Sequence, residues 1–267
     1  MVVLTTRMVV PVPSSIAFSV GITMKVAFSV GRFQPPTTGH KVLIDRVVSE
    51  AGPDGKAYVF VSNAKGKTNP LTAAEKIPFL MKMFQPSVAS GKLHFVNTDD
   101  CEQTPPCGGP PAAYAWIRTK YPDAEIVLVA GSDREAVFGA KAGMWQKGIK
   151  EGKPAPTFIG IKRQEGDKTN SQDPSLMSGT KARGFVAAGE KEKESFSSAV
   201  KFGAMEDSDV DALFNLLSDR KALFGGGDTP ETDEVVWDAD AEPKQGGRRR
   251  TYRKCRKCGL PVKPEAK

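Results

Sequence analysis

The residues best suited to chemistry lie in two short segments. The first is Gly31-Arg32-Phe33-Gln34-Pro35-Pro36-Thr37-Thr38-Gly39-His40, which sets a hydroxyl (Thr37) and an imidazole (His40) three positions apart. The second is Met177-Ser178-Gly179-Thr180-Lys181-Ala182-Arg183. There Ser178 suits a helix N-cap, while Thr180 and its amide can face an anion. Arg183 follows about one turn later on the same face. A guanidinium can grip two phosphate oxygens at once. Gly39 removes a side chain where a ring or phosphate could approach closely. The second segment alone is equally a capped surface helix with a solvated arginine. Together they point to a bound phosphate.

Such residues need elements to hold them. Val26, Phe28 and Val30 suit a strand interior, Gly31 ends it, and Pro35-Pro36 continues neither strand nor helix. A helix then opens at Thr38, with Val42, Leu43 and Val47 as its expected inner stripe. A strand that feeds a helix through a tight turn is a ready anion site, because unpaired N–H groups point at whatever sits there. Further strands are expected at 57–62, 92–96, 125–130 and 157–161. Thr72 should cap a helix whose inner stripe is Ala73, Ile77, Leu80, Met81 and Phe84, with Pro78 bending or truncating it. Residues 98–111 read as a loop, with a helix at 114–118. Beyond Gly184, Phe196, Val200 and Phe202, and then Val210, Leu213, Phe214, Leu216 and Leu217, imply two short helices, the second capped by Asp207, Ser208 or Asp209. Strands alternating with helices imply an α/β fold, a Rossmann-like doubly wound parallel sheet followed by C-terminal helices. Ligands of such sheets bind beyond the carboxyl ends of the strands. The loops at 31–40, 63–69, 131–134 and 162–183 all follow strands.

The first segment resembles the T/H-x-G-H signature of the nucleotidylyltransferase superfamily, and its Gly-Arg-Phe-Gln-Pro wording is similar to nicotinamide-mononucleotide (NMN) adenylyltransferases and related phage or viral enzymes. The second resembles that superfamily's I-S-x-T-x-x-R motif, with Met177 for Ile. The resemblance covers residues 24–220. It implies transfer of AMP from ATP to a phosphate-bearing acceptor, NMN foremost, with release of pyrophosphate. Phosphate oxygen is already a competent nucleophile, so the protein's task is to hold two anions in line and disperse charge. On this resemblance Thr37 and His40 contact the triphosphate, and His40 stabilises the α-phosphate in the transition state. Ser178, Thr180 and Arg183 hold the β- and γ-phosphates. Gly31, Arg32, Phe33 and Gly39 frame the nucleotide, Arg32 and one of Lys65 or Lys67 add charge, and Asp133, after Gly131, accepts from ribose hydroxyls. Mg²⁺ bridges phosphate oxygens. Thr37 stands where many members carry His. One rival keeps the fold and changes the pair to CTP and a phosphoalcohol. Another is a nucleic-acid-binding protein on an inactive transferase scaffold.

At 267 residues and 39% hydrophobic content, part of the chain is expected to lie outside any packed body. Residues 1–23 read as a dispensable extension: the hexamer at 16–21 nearly repeats 26–31, but only the second copy leads into Arg32. Residues 24–224 form the expected body. From Gly225 the composition changes to an acidic linker and a basic end rich in Arg and Lys, expected to be disordered and to bind nucleic acid weakly. The net charge of +7 favours anionic partners. Four cysteines are too few for a secreted disulfide scaffold, and no apolar run spans a bilayer, so a cytoplasmic protein is expected, without membrane contact. The sequence carries no signal for a subunit count. Cys255 and Cys258 have the spacing of half a zinc site, but tetrahedral zinc needs four ligands and no Cys or His follows Cys258, so completing it would take Cys101 and Cys107 or a second chain. Cys101 and Cys107 read as free thiols, Asp99-Asp100 as a turn, and His94 as structural.

Overall fold

The sheet owes its order to strands that are apolar on both faces. In the computed structural model, which describes residues 23–64, 66, 68–100, 109–139, 141–145, 151–162 and 177–224 and the backbone of 253–254 and 261–262, there are five parallel strands. They are β1 (Lys25–Gly31), β2 (Lys56–Val61), β3 (Leu93–Asn97), β4 (Glu125–Gly131) and β5 (Thr157–Ile161). They stand in the order β3-β2-β1-β4-β5, every neighbour parallel. Successive side chains face opposite ways. Ala27, Val59, Val127 and Val129 join one core, and Phe28, Tyr58, Phe60, Ile126 and Leu128 the other. Both faces therefore need helices.

The first core takes Ile44 and Val47 of α1 (Thr38–Glu50) and Leu80 and Met83 of α2 (Ala73–Met83). A short α3 (Gln85–Ala89) leads from α2 towards β3. After β3 the chain crosses to the other face, where Ala113, Tyr114 and Ile117 of α4 (Pro110–Lys120) and Phe138 of α5 (Glu135–Phe138) pack. After β5 it returns to the first face with α6 (Gly179–Ala188), α7 (Lys193–Val200), α8 (Asp207–Ser218) and the short α9 (Lys221–Phe224). The order therefore reverses between β1 and β4, and the loops beyond their carboxyl ends part there. In doubly wound sheets that crevice takes the ligand.

Several local expectations are corrected. Val42 and Met81 are exposed, and the inward positions are taken by Ile44 and Lys76. Pro78 sits inside α2 without ending it, and the helix stops at Phe84, whose φ of −118° and ψ of 25° leave the helical region. Pro110 and Pro111 open α4 instead of closing a loop; their missing N–H groups cost nothing in a first turn, where no carbonyl waits for them. Glu206, not a following residue, caps α8, in a reciprocal box with Asp209. By chain contacts the molecule divides into Met1–Glu231 and Thr232–Lys267. Within the second unit, Arg253–Lys254 (β6) pairs antiparallel with Pro261–Val262 (β7).

Candidate active site

The loop from β1 to α1 is held in one shape by its own side chains. A Cβ on Gly31 would lie 2.7 Å from the ring of Phe33, so the ring takes the space that glycine leaves. Phe33 has φ of +48°, a left-handed conformation costly for a bulky residue. Its ring is 2% exposed and meets the His40 ring edge-on, with centroids 5.0 Å apart. Phe33 thus supports the loop from beneath. The Gln34–Pro35 peptide is cis. The buried Gln34 amide pairs with the backbone of Leu71: its Nε2 donates to Leu71 O, and Leu71 N donates to its Oε1 at 3.0 Å. The turn before α2 is thereby tied to the loop after β1.

Thr37 is fully buried and caps α1 in an extended conformation. Its N–H donates to His40 Nδ1 at 3.1 Å. Its hydroxyl donates to Met177 O at 2.8 Å and stands 2.9 Å from the same Nδ1. The hydroxyl has one hydrogen, and Met177 O takes it. In the tautomer whose Nδ1 accepts the Thr37 N–H, the ring proton lies on Nε2; in the other, Nδ1–H donates to the Thr37 hydroxyl.

The second segment docks onto the first. Ser178 caps α6 by accepting from Lys181 N at 3.2 Å, and its carbonyl accepts from Ala182 N. The amides of Gly179 and Thr180 stand at the mouth of that helix. A Cβ on Gly179 would lie 2.4 Å from Gln34 O, so this glycine lets α6 rest against the Gln34–Pro35 backbone. Arg183, buried to 7% exposure, donates to Gln34 O at 2.6 Å and to Thr180 Oγ1 at 3.2 Å. Met177 O and Gln34 O each accept from the opposite segment. Two helix N-termini therefore open beside the end of β1, an arrangement that concentrates positive potential on one spot.

Around this centre the other expected residues fall as follows. Asp133, in the turn after β4, crowds Gly131, where a Cβ would lie 2.2 Å from its Oδ1, and pairs with Arg134 at 3.2 Å. Arg32 precedes Phe33, and Gly39 is the second residue of α1. Lys65 and Lys67 lie outside the described residues, as do Cys101, Cys107, Cys255 and Cys258. Asp99 and Asp100 follow β3 in a turn closed by Asp100 N to Asn97 O at 3.1 Å. His94 stacks on Tyr58 at 4.9 Å, and burial, then Lys56, pushes its pKa down. Among the described residues no group of three or more His, Cys, Asp or Glu side chains is placed to hold a metal ion. No helix among them is long and apolar enough to cross a membrane.

Sequence reasoning passed over three residues here. Gln34 lay in the motif without an assigned role, because its partner Leu71 is 37 residues away. Gly179 looked like a variable position. Lys76, fully buried, donates to Arg32 O at 2.6 Å and Ser62 O at 2.7 Å. Its spacing from Ala73 and Leu80 put it on the inner face of α2, but its charge argued for the surface.

The cytidylyltransferase-like family model matches residues 28–198. The chain belongs to the cytidylyltransferase-like family. The family's span takes in both segments, and the superfamily resemblance read from them stands. No curated protein sequence matches the chain significantly. Solved structures similar to this cytidylyltransferase-like chain include a provisionally assigned nicotinate-nucleotide adenylyltransferase from Vibrio parahaemolyticus, 18% identical, covering 72% of this chain and 99% of that one at a TM-score of 0.47. The nicotinic acid mononucleotide adenylyltransferase of Plasmodium falciparum, complexed with APC, is 14% identical over 73% of this chain and 97% of that one (TM-score 0.47). A bifunctional NMN adenylyltransferase/ADP-ribose pyrophosphatase from Francisella tularensis, complexed with AMP and a manganese ion, is 14% identical over 75% and 52% (TM-score 0.43). At these values the likenesses carry no argument about substrate, and the fold rests on the strand order itself.

Proposed function

We propose that this nucleotidyltransferase moves AMP from ATP onto NMN, forming NAD and pyrophosphate, with residues 24–224 as the catalytic body. An oxygen of the acceptor phosphate attacks the α-phosphorus, the α–β bridging bond breaks, and the electron pair leaves with pyrophosphate. No side chain has to act as base or nucleophile. In this reading His40 Nε2–H donates to an α-phosphate oxygen as charge builds there. The first-turn amides of α1 and α6 receive phosphate oxygens, and Arg32 and the Arg183 guanidinium add fixed positive charge. Thr37 keeps the His40 tautomer, Phe33 keeps the ring in place, and Asp133 is the candidate for ribose hydroxyls. Magnesium enters with ATP as the counter-ion of its phosphates.

The observation that carries this reading is the mutual docking of the two segments through Thr37 to Met177 and Arg183 to Gln34. The acceptor rests on the Gly-Arg-Phe-Gln-Pro wording alone. The test is pyrophosphate release from ATP or CTP, each offered NMN, nicotinate mononucleotide, phosphopantetheine and simple phosphoalcohols. ATP with NMN is expected to give pyrophosphate and NAD in equal amounts. Release only from CTP with a phosphoalcohol would replace both substrates. No release from any pair, with salt-sensitive polyanion binding retained, would reduce the chain to a binding protein.

A further inference from the structure

A lysine buried at 0% exposure is costly unless its ammonium is well partnered. Lys76 reaches from α2 to the carboxyl ends of β1 and β2. The ladder between those strands runs to the bond from Ser62 N to Gly31 O, at 2.9 Å. Beyond it the chains part, and Arg32 O and Ser62 O are the carbonyls that follow. The Lys76 ammonium takes both, at 2.6 and 2.7 Å, and so stands where the next rung would be. Burial, with the Arg32 guanidinium adding to it and the Glu75 carboxylate opposing, pushes its pKa down to about 8. Arg32 is thus near enough for its charge to be felt.

Holding Arg32 O has a consequence across the peptide. In a trans peptide the carbonyl and the following N–H point in opposite directions. Pinning Arg32 O toward α2 turns the Phe33 N–H away from it, and helps hold Phe33 at its φ of +48°. We propose that Lys76 is a positioning residue for the phosphate site: by fixing the Arg32–Phe33 peptide it presents the Phe33 N–H, and the Arg32 side chain, to the bound triphosphate. This rests on the nucleotidyltransferase reading above.

The experiment compares wild type, Lys76→Met and Lys76→Arg in the full chain. Folding is checked by circular dichroism, ATP affinity by calorimetry, and KM and kcat by pyrophosphate release. The methionine variant should fold and bind ATP about tenfold more weakly, since it loses charge-assisted bonds to two carbonyls. KM for ATP should rise with it more than kcat falls. The arginine variant should recover affinity to within about threefold, since guanidinium keeps donors and charge. A folded methionine variant with wild-type KM and affinity overturns the proposal while leaving the transferase reading intact. So does a folded arginine variant that binds ATP as weakly as the methionine one. If the methionine variant does not fold, Lys76→Gln takes its place, and wild-type ATP affinity there is equally fatal. A wild-type chain that binds ATP but transfers it to no acceptor sinks the transferase reading alone, and the affinity comparison still decides Lys76. A wild-type chain that binds no nucleotide removes both.

Discussion

Gly179→Ala tests the docking of the two segments directly. A Cβ there would sit 2.4 Å from Gln34 O, 2.8 Å from its carbonyl carbon and 3.4 Å from Pro35 N. Ordinary carbon contacts begin at about 3.5 Å, so α6 or the loop must move by about 1 Å. The obstruction is backbone, not the end of a flexible side chain, and it cannot swing aside. Overpacking of this kind costs about 1–3 kcal/mol. Two bonds between the segments sit beside it: Arg183 to Gln34 O at 2.6 Å, and Thr37 to Met177 O at 2.8 Å. A shift of about 1 Å in groups that align a reaction can cost about a hundredfold in rate. Gly184→Ala in the same helix is the control, because nothing lies within 4 Å of its Cβ. It should stabilise by about 0.5–1 kcal/mol through helix propensity alone. Thermal melts and pyrophosphate release, measured well below either Tm, separate the effects. The expected result is a lower Tm and a rate lost about a hundredfold for Gly179→Ala, against a slightly raised Tm and full activity for Gly184→Ala. If Gly179→Ala keeps wild-type kcat and KM, the contact between α6 and the Gln34 backbone does not shape the site.

His40→Ala removes the imidazole and should lower kcat by about a hundredfold or more, read in the same assay; unchanged turnover would remove His40 from the mechanism. Arg220 binds Glu75 through both oxygens, at 2.8 and 2.5 Å, and its hydrogen bonds are the main cause of a Glu75 pKa held down to about 2 from 4.5. A lowered carboxyl pKa stabilises the fold fully above pH 4.5 and loses that contribution as pH falls toward 2. Glu75→Gln should therefore cost about 1 kcal/mol at neutral pH, with the gap to wild type closing in that acid window in denaturant titrations. A gap that does not change with pH would show that the ion pair contributes nothing. Deleting residues 225–267 should leave turnover intact and abolish salt-sensitive polyanion binding, as read by filter binding across a salt series.

The parts legible in the sequence were those set by local rules. Strand composition, the Thr72 and Ser178 caps and the turn at Gly31 to Thr37 need only neighbouring residues, and periodicity supplied the alternation of elements. What escaped was decided by distant partners. Lys76 sat at a core position by spacing, yet its charge hid it, because the two carbonyls that accept it come from other elements. Val42 was expected inside and lies outside, since an apolar side chain at the margin of a stripe says nothing about where the stripe is centred. The proline pair at 110–111 has two honest readings, loop or first turn, and only the helix that follows chooses between them. Thr37 and Arg183 were expected at phosphate. Their hydrogen bonds to Met177 O and Gln34 O also tie the segments together, a role no motif describes.

The segment bearing Met177 and Arg183 comes after every strand of the sheet, the last of which ends at Ile161. A chain emerging from the ribosome can therefore finish its β-scaffold while the proposed reaction centre is still incomplete. On the proposed reading, translation that stops between the two segments yields an inert product. That product also leaves bare the face normally covered by Ala182, Val186, Phe196 and Leu213, a greasy surface that invites clumping and disposal. If the proposed site is the reaction centre, activity can appear only after synthesis has passed Arg183.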